Sequence, residues 1–161
     1  MTLAAIDAYS ISVFIHVTAV MIGFGATFAE SIMFPVAVKV GKRHLPYVHR
    51  LQLAINQRMA TPALVVVLLT GIYQTTDGDW GFGSFWISAS FLIVIVVGGL
   101  LGAYFIPSDR RLAVQAEREI DQAGEVSEDY LAQARRQGGV GALTGILLII
   151  AVFLMVTKPG A

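Results

Sequence analysis

Four long apolar stretches constrain this chain more than any other feature. They run from about Ser10 to Val38, Ala54 to Tyr73, Phe85 to Ile106 and Gly139 to Thr157, and a helix needs about 20 mostly apolar residues to cross a bilayer. Runs such as ALVVVLLTG lack the alternation of apolar and polar residues that a membrane strand requires. The sequence therefore predicts an all-α protein, a bundle of four transmembrane helices.

Composition supports this class and excludes others. Apolar residues make up 56% of the chain and charged residues 14%, against roughly a quarter charged in soluble domains, so the lipid bilayer is the expected surroundings. A net charge of zero argues against nucleic acid as a partner. The chain has no cysteine, which excludes disulfides and thiolate-held metals. We expect residues 1–161 to form a single integral membrane domain.

The basic residues predict the orientation, because cytoplasmic loops of membrane proteins are rich in Lys and Arg. The second connection contains Asp77 and Asp79 but no basic residue, and Lys158 stands alone near the end of the chain. The other ten basic residues lie in or near the first and third connections: Lys39, Lys42, Arg43, Arg50, Arg58, Arg110, Arg111, Arg118, Arg135 and Arg136. We therefore predict a multi-pass plasma-membrane protein with both termini on the non-cytoplasmic side.

The third connection, residues 108–137, predicts a short cytoplasmic helical hairpin between helices 3 and 4. Pro107 is expected to end the third span, and Ser108 to cap a new helix. Gly124 is expected to break that helix, and Ser127 to cap a second one that continues into the fourth span.

A polar stripe marks the first helix and predicts the face that it turns toward the bundle. Its members recur at spacings of three, four or seven residues: Tyr9, Ser12, His16, Gly23, Thr27 and Glu30. Ionisable groups that face lipid cost several kcal/mol, so the stripe is expected to face the other helices.

Glu30 and Arg58 are predicted to form a structural pair between the first two helices. Both lie near the cytoplasmic ends of their helices, and a contact at matching depth would satisfy both charges. The alternative is functional: a carboxylate that handles protons, or an arginine that contacts a ligand.

His16 is the one histidine within a predicted span and the candidate cofactor ligand. It is either an interhelical hydrogen-bonding residue or a ligand to haem or copper, since neutral imidazole can hold either metal. Met155 is a second candidate ligand, because the fourth helix brings it to a comparable depth. His44 and His49 are interpreted as solvated loop residues.

Small residues at a spacing of four, such as Gly98 and Gly102, predict close helix contacts. They fit internal packing, a homo-oligomer or a membrane-protein partner equally well. The chain contains no H-E-x-x-H, Gly-x-Ser-x-Gly or phosphate-binding motif, which favours a protein that is not an enzyme.

The first two spans, FIHVTAVMIGFGATFAESIMF and HRLQLAINQRMATPALVVVLLTGIYQ, resemble the signature helices of a bacterial superfamily. It contains the copper-resistance CopD membrane domain, the HemJ-type protoporphyrinogen oxidases and an uncharacterised branch of predicted integral membrane proteins, which this chain resembles most. The resemblance implies a four-helix membrane fold. It also implies haem b ligation at His16, because HemJ-type proteins use the matching histidine in this way.

Two departures from the HemJ pattern count against porphyrinogen oxidation. A serine of the stretch Phe85–Ser90 stands about where those proteins carry a required lysine, and the region Gly102–Phe105 lacks their later histidine. Three functions remain open. The first is an accessory or structural membrane protein, with or without a haem or metal held by His16. The others are a haem-linked membrane oxidoreductase of HemJ-like type and a copper-handling or transport protein of CopD-like type.

Overall fold

The computed structural model describes residues 7–78 and 80–160, so Asp79 of the second connection lies outside the described residues. Four long helices make up this part of the chain: α1 (Ala8–Val40), α2 (Lys42–Asp77), α3 (Phe85–Ala123) and α4 (Glu128–Thr157). Each is long and apolar enough to cross a membrane, and the described ranges contain no strand. The predicted all-α, four-helix class is confirmed.

Local hydrogen bonds explain where the helices begin and end. The Asp7 carboxylate accepts the Ser10 N–H at 2.7 Å at the start of α1, and this bond lowers the pKa of Asp7 below its ordinary value. Gly124 ends α3 with a φ of 77°, which a residue with a side chain rarely adopts. The Ser127 hydroxyl accepts the Tyr130 N–H at 3.1 Å and starts α4. The predicted helical hairpin between the third and fourth helices is confirmed.

Two π-helical turns interrupt the long helices, Asn56–Ala60 in α2 and Leu101–Phe105 in α3. Each ends two residues before a proline, Pro62 or Pro107. A proline ring clashes with the carbonyl four residues earlier in an α-helix, and a wider turn relieves that clash. The expectation that the helix breaks at Pro107 was therefore wrong, because α3 continues through it. The end of the membrane span at this residue stays a prediction.

The helices change partners at these two turns. Beyond its π-turn, α2 packs along α1; before its π-turn, it packs against the last part of α3. The first part of α3, Phe85–Leu100, packs along α4 instead. The bundle therefore has two helix pairs, α1–α2 and α3–α4, and the pairs cross over each other near the π-turns.

The crossover lies at the end of the bundle that carries the connections α1–α2 and α3–α4, here called the basic end. Its core is tightly packed, and Leu45, Leu112, Ala116 and Tyr130 are each 0% exposed. The opposite end, called the terminal end, holds the start of α1 and the end of α4. There the Lys158 ammonium lies 4.5 Å above the Trp80 ring, in an arrangement typical of membrane interfaces.

Candidate functional site

A cleft of about 1300 Å³ separates the two helix pairs along the apolar part of the bundle. Most of its wall is aliphatic or aromatic, with Phe24 on α1, Val67 on α2, Val94 on α3 and Leu148 on α4 among the lining residues. Ligand pockets of proteins typically measure about 300–1,000 Å³ and are mostly apolar with a few polar groups. The cleft is therefore large enough for a cofactor or a lipid-like ligand.

His16 is a polar group in the wall of the cleft and is only 6% exposed. Its Nδ1 lies 2.7 Å from the Thr70 hydroxyl, and that hydroxyl donates its proton to the Val66 carbonyl at 2.6 Å. When Thr70 donates to that carbonyl, its oxygen accepts from His16 and the imidazole proton lies on Nδ1. A neutral imidazole in this form carries its free lone pair on Nε2, the atom that can bind a metal.

Met155 lies close to His16, because both line a second, small cavity of about 10 Å³. Gly71 and Phe91 complete this wall, and a Cβ atom at Gly71 would lie 3.6 Å from Cε1 of His16. The small cavity holds one water molecule at most. The structure thus brings His16 and Met155 to one place.

The remaining residues of the predicted stripe lie along the same side of α1. Ser12 is buried and accepts the Gln74 amide at 3.1 Å, while a Cβ atom at Gly23 would lie 3.4 Å from that of Ala63. Tyr9 and Thr27 line the cleft. The α1 stripe therefore faces both α2 and the cleft.

The structure does not bring Glu30 and Arg58 together. Arg58 lies inside the π-turn of α2 with an exposed side chain. Glu30 lines the cleft near its basic end, and its buried Oε1 has no hydrogen-bond partner in the described part of the chain. The α2 residues beside Glu30 are Gln52 and Asn56.

A buried polar cluster occupies the crossover, and we call it the Asp109 cluster. Asp109 is 0% exposed; its Oδ2 accepts the Asn56 amide at 2.9 Å and its Oδ1 accepts the Gln137 amide. The His49 Nδ1 lies 3.9 Å from the same Oδ1, and the His49 Nε2 lies 2.8 Å from the Tyr130 hydroxyl. Glu30 of α1 lies beside these groups, so all four helices contribute a residue to the Asp109 cluster.

The structure corrects two further expectations here. His49 is 2% exposed and belongs to the cluster, so interpreting it as a solvated loop residue was wrong; His44 is exposed. Ser108 does not cap a helix, because it is buried and its hydroxyl donates to the Gln137 Oε1 at 2.6 Å. Both errors arose from placing these residues in loops that the helices in fact continue through.

One signal in the sequence could have revealed the Asp109 cluster. His49 and Asn56 are seven residues apart, as are Tyr130 and Gln137. A spacing of seven places two polar side chains on the same helix face, two turns apart. Two such pairs on helices that are expected to pack together indicate a polar contact between them.

Comparison with known proteins places the chain in a family. No curated protein and no solved structure matches it. The model of the family described as "Predicted integral membrane protein (DUF2269)" matches residues 10–159, nearly the whole chain. Together with the four long apolar helices, this match shows that the protein is an integral membrane protein and belongs to the DUF2269 family.

Proposed function

We propose that this membrane protein binds a large, mainly apolar ligand in its cleft, with His16 as the polar contact, and that the ligand is haem b. One observation carries the proposal: a buried histidine in the cleft wall has its Nδ1 engaged by the Thr70 hydroxyl, which leaves Nε2 as the ring atom available to a metal. That arrangement matches metal-binding histidines, which usually donate their other ring N–H to a neighbouring acceptor.

The donors around His16 suit haem better than a bare copper ion. A porphyrin supplies four nitrogen ligands of its own, so His16, with Met155 as a second candidate ligand, would be enough to hold it. The described residues contain no group of three or more His, Cys, Asp or Glu side chains that could hold a metal. Copper would have to be held by His16 and thioethers such as Met155, and Met21 is 69% exposed.

His16 and its neighbours each have a distinct role in the proposed haem site. His16 would bind the iron, Thr70 would hold the imidazole ring in one orientation, and the apolar walls would exclude water. Bound haem supplies one-electron redox chemistry. We infer an accessory role because the lysine that HemJ-type proteins require is replaced by serine near Ser88.

Placement in the CopD and HemJ superfamily, and the orientation in the membrane, are parts of the same proposal. The superfamily placement is supported by the resemblance of the first two spans. The orientation is supported by the ten basic residues at or near the first and third connections. We propose that the basic end faces the cytoplasm, that both termini lie outside, and that the membrane is the plasma membrane.

The visible spectrum of the protein, purified in mild detergent, tests the haem proposal. We expect a Soret band in the wild type, after reconstitution with haemin if necessary, and its loss in His16→Ala. His44→Ala is the matched control, because His44 is exposed and should leave the band unchanged. A wild-type protein that stays colourless with haemin would overturn the proposal, and stabilisation against heat by copper alone would favour the copper alternative.

A further inference from the structure

The Asp109 cluster contains two carboxyl groups that have very different surroundings. Asp109 accepts two side-chain amides, one on each oxygen, although it is completely buried. An ionised carboxylate only accepts hydrogen bonds, so these donors are the partners that an anion requires. Each oxygen of the buried Asp109 carboxyl group therefore has its own amide donor.

Glu30 has fewer hydrogen-bond donors around it, and the Asn56 amide is the side-chain donor beside its carboxyl group. Its Oε1 is buried and receives no donor. Gln52 donates its amide N–H to the Glu30 backbone carbonyl at 3.5 Å, and the Oε1 of Gln52 is likewise buried without a donor. Two acceptor oxygens are left unsatisfied, and a proton on the Glu30 carboxyl is the simplest source of the missing donor.

Electrostatics point in the same direction. Asp109 lies close enough to repel a negative charge on Glu30, and burial removes much of the water that would screen the repulsion. Within the described ranges, the ion pairs closer than 4 Å are His49–Asp109 and Arg50–Glu117, so Glu30 has no cation beside it. The other charged residues that line this end of the cleft are Lys39 on α1, Lys42 on α2, and Glu128 and Arg135 on α4.

We propose that Glu30 is a proton-binding site at the basic end of the cleft, held as a neutral carboxylic acid at neutral pH. The proton exchanges with water that enters through the cleft, which Glu30 lines. Release of that proton places two carboxylates on either side of Asn56 and repels α1 from α3. Proton binding at Glu30 thereby stabilises the crossover of the two helix pairs.

Infrared spectroscopy of the full-length protein in detergent tests the protonation state directly. We expect a C=O stretching band from a protonated carboxyl at neutral pH, which shifts in D₂O and disappears as the pH is raised. Glu30→Gln should remove this band. Glu125→Gln is the matched control and should retain it, because Glu125 is exposed in the hairpin. A wild-type spectrum without such a band at neutral pH would overturn the proposal before any variant is made.

The dependence of thermal stability on pH gives a second, independent measurement. A group that binds a proton more tightly in the folded state stabilises the protein at low pH, and the stabilisation disappears as the pH rises through its folded titration. The midpoint of unfolding should therefore fall in the wild type as the pH rises from mildly acidic values through neutrality, and much less in Glu30→Gln. The same loss over this range in both proteins would contradict the proposal. Both measurements are independent of haem binding at His16.

Discussion

Tyr130 illustrates how the Asp109 cluster depends on single atoms. It is completely buried, and its hydroxyl is the partner of the His49 Nε2 at 2.8 Å. A buried polar group that loses its partner keeps the cost of leaving water without regaining a hydrogen bond, about 1–3 kcal/mol. Each member of the cluster therefore matters mainly through the neighbour that it satisfies.

Tyr130→Phe is predicted to destabilise the protein by about 1–3 kcal/mol, because it leaves the Nε2 of a buried histidine without a partner. The midpoint of thermal unfolding in mild detergent measures the loss. Tyr47→Phe is the matched control, since Tyr47 is 68% exposed and should change the midpoint little. Equal midpoints for the two variants would show that the hydrogen bond contributes nothing to stability.

Sequence patterns group residues of α1 on one face but do not reveal their partners. Ser12 and His16, two members of that face, are buried. The expected partner of Glu30 was Arg58, which instead lies exposed in a π-turn. A π-turn changes the direction of every side chain within it, and hydropathy and helical spacing do not reveal where such a turn occurs.

At the scale of helices, α2 and α3 are in contact at Gly98. The sequence alone does not show whether this glycine faces another helix or faces away from the bundle. A Cβ atom at Gly98 would lie 2.9 Å from Cδ2 of Leu64, whereas at Gly99 and Gly102 it would meet nothing within 4 Å. Neighbouring glycines of α3 thus have different surroundings. Gly98 permits close packing against α2, while the other two face away from the protein.

Gly98→Leu is predicted to destabilise the protein by about 1–3 kcal/mol, the usual cost of adding side-chain atoms to a packed contact. Gly99→Leu serves as the control, because it adds the same side chain to the same helix where there is room. Thermal unfolding of both variants in one detergent gives the comparison. A larger loss for Gly99→Leu would contradict the packing and would indicate that this face is covered by another copy or partner.

At the scale of the whole molecule, charge distribution and topology can be tested together because the chain has no cysteine. A single cysteine can therefore report the side on which a connection lies. Gly83 precedes α3 in an exposed connection, and a Cβ atom there would meet nothing within 4 Å. Glu125 is exposed in the hairpin at the other end.

A membrane-impermeant thiol reagent is predicted to label Gly83→Cys in intact cells and Glu125→Cys only after the cells are permeabilised. The reason is the concentration of basic residues near the first and third connections, which favours the cytoplasmic side. The cysteine-free wild type controls for background labelling. The reverse labelling pattern would mean that the bundle is inverted in the membrane.

The π-turns also affect how the faces of α2 should be plotted. One added residue rotates all later side chains by about 100° around the helix axis. The face of α2 that carries His49 and Asn56 is therefore not aligned with the face that carries Thr70. A single helical wheel drawn for the whole of α2 therefore shows these two faces at the wrong angle to each other. Separate wheels for Leu45–Ile55 and Thr61–Asp77 keep the two directions apart: His49 is turned toward Asp109 of α3, and Thr70 toward His16 of α1.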